Sequence, residues 1–331
     1  MELLSQTESE HLQSASCCFP VLVVNTDLNI HTQMQIPLSC GEAYEGQEVF
    51  WRNEGQEIDQ QGNHIQVTVE ELTGGNYSCH DSNGSFLNHT LVLVQLLNGK
   101  SQARKILDKV EDTAVLFQFR TDYIQCTSRN YSGIFHCSWK WSEGRRGDLF
   151  FAAVTRSSGQ SNISCAADAD RSGMICLDRT HCPYTEELHP IDLTIYVKYW
   201  YRVEKYTKQF YIAGIVKPDR VRLRKAHGNT FEWEYPSTWN IPDSFFPLHF
   251  EVKVAPLNKD CDAEGEQSRV QVTASVDEGV RSFPVSTSSV GCVIFTEKRT
   301  FSVSRRKNFL FCVRSQDTLT KSGWSEWEQR K

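Results

Sequence analysis

The residues most able to do chemistry in this 331-residue sequence are its twelve cysteines. They are spread along the whole chain, and most of them lie in apolar runs that are typical of strands. Extracellular chains join such thiols into disulfides, whereas cytosolic chains keep them reduced. No pair of CxxC motifs and no HxxxH is present, so a zinc site is not expected. The cysteines therefore predict an extracellular protein held together by disulfides, with no metal and no cofactor.

Signatures of catalysis are missing from the same sequence. It contains no GxSxG, no HExxH, no Walker loop and no GxGxxG, and its ten histidines are scattered. The formal net charge is −6 without a block of Lys and Arg, which argues against nucleic-acid binding. No apolar stretch approaches the length that spans a bilayer. We therefore expect a secreted binding protein, not an enzyme, that neither binds nucleic acid nor inserts into a membrane.

The N-terminal segment, residues 1–20, is polar and acidic and has no clear signal peptide. Either the natural start lies elsewhere or secretion is unconventional, and we favour the first. Five Asn-x-Ser/Thr sequons agree with secretion. We exclude Asn76, which lies inside a predicted tyrosine corner. The expected glycosylation sites are Asn83, Asn88, Asn130 and Asn162.

The elements that position these residues are predicted to be strands. Short runs rich in Val, Ile, Phe, Tyr and Thr alternate with Gly, Asn, Asp, Ser or Pro, and helical periodicity is hard to find. The composition changes near residues 98 and 217, and a strand pattern begins afresh after each change. The sequence thus predicts an all-β chain of three tandem β-sandwiches, with domains at 21–98, 99–217 and 218–331.

The first of these domains has an immunoglobulin-like pattern. Cys40 and Cys79 are separated by a length suited to facing strands of two packed sheets, and Trp51 lies between them. Tyr77 precedes the second cysteine by two residues, as in the tyrosine corner of immunoglobulin domains. The four residues together predict a disulfide between Cys40 and Cys79 packed on a buried tryptophan.

The second domain carries two pairs of cysteines that each close a short loop. Cys126 with Cys137, and Cys165 with Cys176, suit crosslinks that contribute roughly 3 kcal/mol each on the chain-entropy model. Cys182 is then left over, and an unpaired cysteine in an extracellular chain indicates a bond to another chain. Two alternatives stay open: Cys176 pairs with Cys182, or Cys182 is a reduced surface thiol.

The third domain contains the motif Trp324-Ser325-Glu326-Trp327. Its two indoles project on one face, so a guanidinium from a neighbouring strand can lie between them, and Arg314 is the candidate. Each cation–π contact would contribute about 0.5–2 kcal/mol. The alternative is ordinary hydrophobic packing of the two tryptophans. In either case, the motif is predicted to be structural and not to touch a partner.

The cysteines of the third domain are harder to pair from sequence. Cys261 and Cys292 lie in or beside runs that could form neighbouring strands, and we expect them to form a disulfide. Cys312 would then remain buried and inert within a strand. A bond between Cys292 and Cys312 stays open as the alternative.

Two of these motifs carry a resemblance to a known family. The pattern C-x10-C-x-W beginning at Cys126, followed one domain later by the tryptophan motif, resembles the type I cytokine receptor homology module. The final serine of that motif is replaced here by Glu328. With an immunoglobulin-like domain in front, residues 21–328 resemble the receptor-like beta subunits of heterodimeric cytokines of the interleukin-12 and interleukin-23 type. The resemblance implies that the second and third domains are fibronectin type III-like.

The resemblance also implies a function and partners. A four-helix alpha subunit, of the interleukin-12 alpha or interleukin-23 alpha type, would bind at the elbow between the second and third domains and form a disulfide with Cys182. Glu186 and Asp317 would supply charge there, and one of Phe245 and Phe246 would be an exposed anchor. An interleukin-12 receptor beta 1-type receptor would bind the immunoglobulin-like domain, and a homodimer is also considered. The alternative is a soluble cytokine receptor alpha chain, which would need no covalent cysteine.

Overall fold

A computed structural model describes the chain in thirteen stretches: residues 20–26, 33–96, 104–112, 120–159, 162–183, 186–225, 230–240, 247–257, 260–262, 292–293, 299–302, 309–317 and 323–331. The chain divides into two compact units, each assembled from three segments. The first comprises Met1–Asp108, Trp139–Ala153 and Leu193–Lys208, and the second comprises Lys109–Ser138, Val154–Asp192 and Gln209–Lys331. The division at residues 98 and 217 stays a prediction.

The described residues are mostly in strands, as the sequence predicts for an all-β chain of sandwiches. The first eight strands are β1 Val21–Thr26, β2 Met34–Ser39, β3 Phe50–Asn53, β4 Gln56–Gln61, β5 His64–Val69, β6 Gly75–His80, β7 Phe86–Leu96 and β8 Leu107–Asp108. The next nine are β9 Val110–Asp112, β10 Arg120–Asp122, β11 Ile124–Thr127, β12 Ile134–Trp141, β13 Asp148–Arg156, β14 Ile163–Ala167, β15 Gly173–Asp178, β16 Ile191–Tyr199 and β17 Arg202–Phe210. The last seven are β18 Arg222–Lys225, β19 Thr230–Glu234, β20 Leu248–Pro256, β21 Cys292–Val293, β22 Arg299–Ser302, β23 Phe309–Asp317 and β24 Glu328–Arg330.

Helical structure is short in the described ranges. A four-residue helix, α1, spans Ile212–Ile215, and 3₁₀ turns lie at Glu42–Tyr44 and Ser237–Asn240. No helix within those ranges has both the length and the apolar character needed to cross a membrane.

The first unit is built on an eight-stranded sheet in the order β13-β16-β17-β7-β6-β3-β4, with β1 paired to β7. A second sheet pairs β2 with β5, and the side chains of β5 alternate between exposed and buried, so one face lies on the core. Trp51 is 1% exposed and pairs in register with Cys79, next to the disulfide from Cys40 to Cys79. The Cys–Trp–Tyr–Cys pattern therefore marks the core of this sandwich.

The same sheet joins strands from two of the predicted domains. Strands β7 and β17 pair in parallel, with Arg202 opposite Val94 and Val203 opposite Gln95. Arg202 is 1% exposed and forms ion pairs with Glu71 and Glu204, whose other carboxylate oxygen accepts a hydrogen bond from the backbone of Ile106 at 2.9 Å. Backbone pairing and a buried ionic cluster thus unite these strands in a single layer.

The second unit contains three larger sheets. One has the order β11-β12-β15-β14, another β18-β19-β22, and the third β21-β20-β23-β24. Aromatic rings fill the space between the last two. Phe231 stacks on Phe311 with ring centroids 4.3 Å apart, and Trp233 meets Phe250 edge-on at 5.9 Å. All four rings are at most 2% exposed, so the two sheets form a sandwich around an aromatic core.

Four disulfides crosslink the described residues. Three are the pairs expected from the sequence, Cys40–Cys79, Cys126–Cys137 and Cys165–Cys176. The fourth joins Cys261 to Cys312, so the expected bond between Cys261 and Cys292 is wrong, and Cys312 is not a free thiol.

The order of strands explains the fourth pairing. Cys292 lies on β21 and pairs with Glu251, on the side of β20 away from β23. Cys261, in contrast, lies toward β23. Lys253, which is opposite Cys312 on β23, donates a hydrogen bond to the carbonyl of Cys261 at 2.7 Å. The Cα atoms of Cys261 and Cys312 are 6.1 Å apart, a usual separation for a disulfide.

Candidate functional site

The loop that follows β15 carries the reactive group of interest. Cys182 is a free cysteine, and its side chain is half-buried. Glu186 is exposed, and Leu188 is 86% exposed although it is apolar. This segment, residues 179–190, is called the Cys182 loop below. It presents a thiol, a carboxylate and an aliphatic side chain near one another in sequence.

A buried ionic cluster holds both ends of the Cys182 loop. Arg156, at the end of β13, donates two hydrogen bonds to Asp178 Oδ2, at 2.9 and 2.6 Å, where β15 ends. It also donates to Glu187 at 3.1 Å and to the carbonyl of His189 at 2.7 Å, where the loop returns toward β16. The side chains of Arg156, Asp178 and Glu187 are 9%, 0% and 3% exposed. One guanidinium therefore fixes the two ends of the loop together.

The charge balance within this cluster is favourable. Burial lowers the pKa of Arg156, but the hydrogen bonds and charges of Asp178 and Glu187 outweigh it, and the net pKa is raised. The remaining oxygens are also used. Asp178 Oδ1 accepts from the backbone and hydroxyl of Thr180, both at 2.8 Å, and Glu187 Oε2 accepts from the backbone of Ala213 in α1 at 3.0 Å. The cluster thus also ties the loop to the start of the elbow.

A glycine supports the part of the loop next to the cysteine. Gly133, in the turn before β12, has φ +78°, a conformation that favours glycine. A Cβ there would lie 2.4 Å from the carbonyl oxygen of Asp178 and 2.6 Å from the ring of His181. His181 also shares a hydrogen bond between its ring Nδ1 and that same carbonyl at 2.9 Å. His181, which directly precedes Cys182, therefore packs against the backbone of Gly133, where there is no side chain.

The elbow between the second and third predicted domains lies within the second unit. The backbone of Ser128 donates to Ile215 at 2.9 Å and accepts from Lys217 at 2.7 Å, which forms a parallel bridge across the elbow. Asn130 is 8% exposed, and its amide donates to the carbonyl of Thr238 at 2.6 Å. Lys217 pairs with Glu326 at 2.5 Å, which reaches the tryptophan motif. Several polar contacts thus hold the elbow in one geometry.

Asp317 occupies a different place at this elbow from the one expected. It is 0% exposed, and its carboxylate accepts a short hydrogen bond from the hydroxyl of Tyr131. Strand β23 continues as far as Asp317, which lies opposite Leu248 and is covered by the turn that contains Tyr131. The expectation that Asp317 presents an exposed charge is therefore wrong. Its carboxylate instead crosslinks the two sides of the elbow.

The tryptophan motif has the expected arginine between its rings. The guanidinium carbon of Arg314 lies 4.9 Å from the ring centroid of Trp324 and 4.4 Å from that of Trp327. Glu251 bonds the same guanidinium at 2.6 and 2.5 Å. Ser325 is 3% exposed, and its hydroxyl accepts from the backbone of Ser315 at 2.9 Å. The serine thus fixes the backbone of the motif, while the arginine fixes its rings.

The glycosylation predictions divide in two. The side-chain nitrogens of Asn88 and Asn130 already donate to backbone carbonyls, of Cys40 at 2.8 Å and of Thr238 at 2.6 Å, and both residues are at least half-buried. Both amides thus take part in the fold, and glycosylation at Asn88 and Asn130 stays a prediction. Asn83 and Asn162 are exposed, and glycosylation there stays a prediction.

Some predicted residues are not tested by this structure. Phe245 and Phe246 lie outside the described residues, as do Cys17 and Cys18. Arg156 and Tyr131 organise the site but were not predicted from the sequence to do so. A signal for Arg156 was present in its position, because an arginine at the end of an apolar strand requires a buried carboxylate if it turns inward.

The fold and site together define the class: a disulfide-linked chain of tandem β-sandwiches with an arginine between two tryptophans and a free cysteine on an anchored loop. A family model described as "Cytokine interleukin-12p40 C-terminus" matches residues 121–199. Interleukin-12 subunit beta from Papio anubis is 27% identical over 314 residues, covering 88% of this chain and 84% of that protein. The protein of that name from Homo sapiens is 26% identical over 313 residues, with the same shares covered. Over most of its length, the chain is therefore similar in sequence to interleukin-12 subunit beta.

Proposed function

We propose that this chain is the secreted, receptor-like beta subunit of a heterodimeric cytokine of the interleukin-12 or interleukin-23 type. It binds a four-helix alpha subunit at the elbow of the second and third predicted domains, and Cys182 forms a disulfide with that subunit. The heterodimer then engages receptors on lymphocytes, with the predicted immunoglobulin-like domain providing one receptor surface. The observation that carries this proposal is a free, half-buried thiol on a loop whose two ends are fixed by Arg156.

The surroundings of the thiol suit a protein partner. Leu188 is 86% exposed, and Glu186 is exposed beside it, so the loop offers apolar area and a negative charge to a helix that carries a basic residue. Both residues lie between anchored points of the loop. Because Arg156 holds both ends of the loop before binding, less conformational entropy is lost when the partner docks.

The contribution of Asp317 is indirect under this proposal. Its carboxylate holds Tyr131 and so keeps the turn at residues 129–133 in place. That turn supports His181 through Gly133. Asp317 is therefore a positioning residue of the elbow, and Glu186 is the charge that faces the alpha subunit.

Covalent assembly requires oxidation. The thiol of Cys182 and a thiol of the alpha subunit lose two protons and two electrons to a thiol–disulfide oxidant of the secretory compartment, and one sulfur–sulfur bond forms. The chain should be co-expressed in secreting animal cells with an alpha subunit of the interleukin-12 type, and separately with one of the interleukin-23 type. On a non-reducing gel, at least one pair should give a heavy band that reduction splits into two subunits.

Two variants make this experiment decisive. Cys182→Ser should abolish the heavy band, whereas Ser82→Ala, at an exposed position on another hairpin, should leave it unchanged. An unchanged heavy band with Cys182→Ser would contradict the proposed bond. A complex that forms and dissociates in the same way with and without Cys182 would favour the alternative, a soluble cytokine receptor alpha chain.

A further inference from the structure

The outer face of the sheet β11-β12-β15-β14 exposes apolar side chains. Ile134 on β12 is 51% exposed, and Ile175 on β15 is 53% exposed. Ile134 lies opposite Leu177, and His136 lies opposite Ile175, so these four side chains share one face. The opposite face of the same strands carries Phe135 and two disulfide-bonded cysteines, which are buried. The outer face is therefore not the core of this sandwich.

Strand β14 ends this sheet and is poorly protected. Four of its five residues are exposed, and no strand of the described residues pairs with its outer edge. Ser164 and Ala166 lie opposite Leu177 and Ile175 and extend the outer face with small side chains. An exposed edge beside an apolar face is a template for pairing with another chain, and proteins usually protect such edges.

A sequon lies at the start of this same strand. Asn162 is exposed and directly precedes β14, in the triplet Asn162-Ile163-Ser164. Its carbonyl accepts a hydrogen bond from the backbone of Arg179 at 3.1 Å, so the pairing with the β15 side of the hairpin continues through Asn162. Because strand side chains alternate, Asn162 projects on the same face as Ser164 and Ala166. That is the face on which Ile175 is exposed.

The other exposed sequons lack such a surface. Asn83 lies in the turn between β6 and β7, where its backbone donates to Asp81 Oδ1 at 2.9 Å. Asn76 is exposed within β6, a strand paired on both of its sides. Of the exposed sequons, Asn162 therefore combines an accessible amide with an unpaired edge and exposed isoleucines.

We propose that Asn162 carries an N-linked glycan that covers the edge of β14 and the apolar face around Ile134 and Ile175, and so prevents self-association of the chain there. The transfer forms a bond between Asn162 Nδ2 and the anomeric carbon of a sugar. It breaks the bond from that carbon to the diphosphate of a lipid-linked oligosaccharide, and the amide releases one proton. The bulky, hydrated glycan then occupies the space that a second chain would need.

Occupancy is tested first. The full chain is secreted from animal cells with Cys182→Ser as background, so that Cys182 forms no intermolecular disulfide. Asn162→Gln and Ser164→Ala should each reduce the mass by one glycan, measured with and without enzymatic deglycosylation. Ser82→Ala, outside every sequon, should leave the mass of the glycans unchanged. An Asn162→Gln variant with the full glycan mass would overturn the proposal.

Shielding is tested by sedimentation velocity of the same proteins over a range of concentrations. The background protein and its Asn83→Gln variant should remain monomeric. Asn162→Gln and Ser164→Ala should self-associate at least about tenfold more tightly than the background. Adding Ile175→Lys to Asn162→Gln should restore the monomer, because a charge then interrupts the apolar face. A monomeric Asn162→Gln protein, or self-association that Ile175→Lys does not reverse, would overturn the shielding role.

Discussion

Replacing Gly133 by alanine should destabilise the second unit more than the same change at Gly159. The two glycines have nearly equal backbone angles, φ +78° and +75°, and both lie in the second unit. A Cβ at Gly159 meets nothing within 4 Å, whereas a Cβ at Gly133 lies 2.4 Å from the carbonyl oxygen of Asp178 and 2.6 Å from His181. The pair therefore separates the backbone effect from the steric effect.

The magnitudes follow from these contacts. Placing alanine in the left-handed region costs roughly 1–2 kcal/mol at either position. At Gly133 the Asp178 carbonyl and the His181 ring must also move, and overpacking of this kind adds about 1–3 kcal/mol. Gly133→Ala should therefore reduce the free energy of unfolding by about 2–5 kcal/mol, and Gly159→Ala by about 1–2 kcal/mol.

The assay is urea unfolding followed by tryptophan fluorescence, with the midpoint compared at constant slope. A second measurement is the rate at which a thiol reagent labels Cys182 in the native protein. Gly133→Ala should increase this rate, because the added Cβ displaces His181 from its contact with the backbone of residue 133. Gly159→Ala should leave the rate unchanged. Equal midpoints for the two variants, or equal labelling rates, would refute the idea that Gly133 supports the loop.

Three further predictions concern charged groups. Arg314→Ala should lower the free energy of unfolding by about 1–4 kcal/mol in urea titrations, because two cation–π contacts are lost. Arg156→Ala should cost about 3–5 kcal/mol, since Asp178 keeps its buried charge without a counterion, whereas exposed Arg179→Ala should change little. Burial lowers the pKa of His249 against an opposing charge from Asp317. As the pH decreases, the histidine is therefore protonated at a higher pH in the unfolded chain than in the folded one. The free energy of unfolding should fall as the pH decreases through about 6.5, and it should fall less in His249→Gln.

The core around the Cys40–Cys79 disulfide was predictable because its signal is local. Cys40, Trp51, Tyr77 and Cys79 fall at spacings set by strand length and by the distance between two sheets, and the sequence contains both. The short disulfide loops of the predicted second domain were predictable for a similar reason. Cys165 and Cys176 lie directly opposite each other in one hairpin, and Cys126 and Cys137 lie on neighbouring strands.

The cysteines of the predicted third domain could not be paired from local spacing in this way. Cys261 bonds to Cys312 rather than Cys292 because the segment after β20 folds over the side of the sheet that carries β23 and β24. The path of a loop depends on long-range packing, and the periodicity of the strands carries no information about such packing. The prediction that Asp317 would offer its charge to a partner was wrong for the same reason. Its burial depends on Tyr131, which is 186 positions away in the sequence.

If the chain assembles covalently as proposed, the anchored Cys182 loop affects the speed of that assembly. A thiol on a free segment would sample many directions, and its encounter with a partner thiol would be slow even within a docked complex. Arg156 restricts the loop at both ends, so in the proposed complex the two sulfurs would meet at a high effective concentration. Docking geometry, rather than random exchange with other thiols, then selects the chain to which Cys182 becomes bonded.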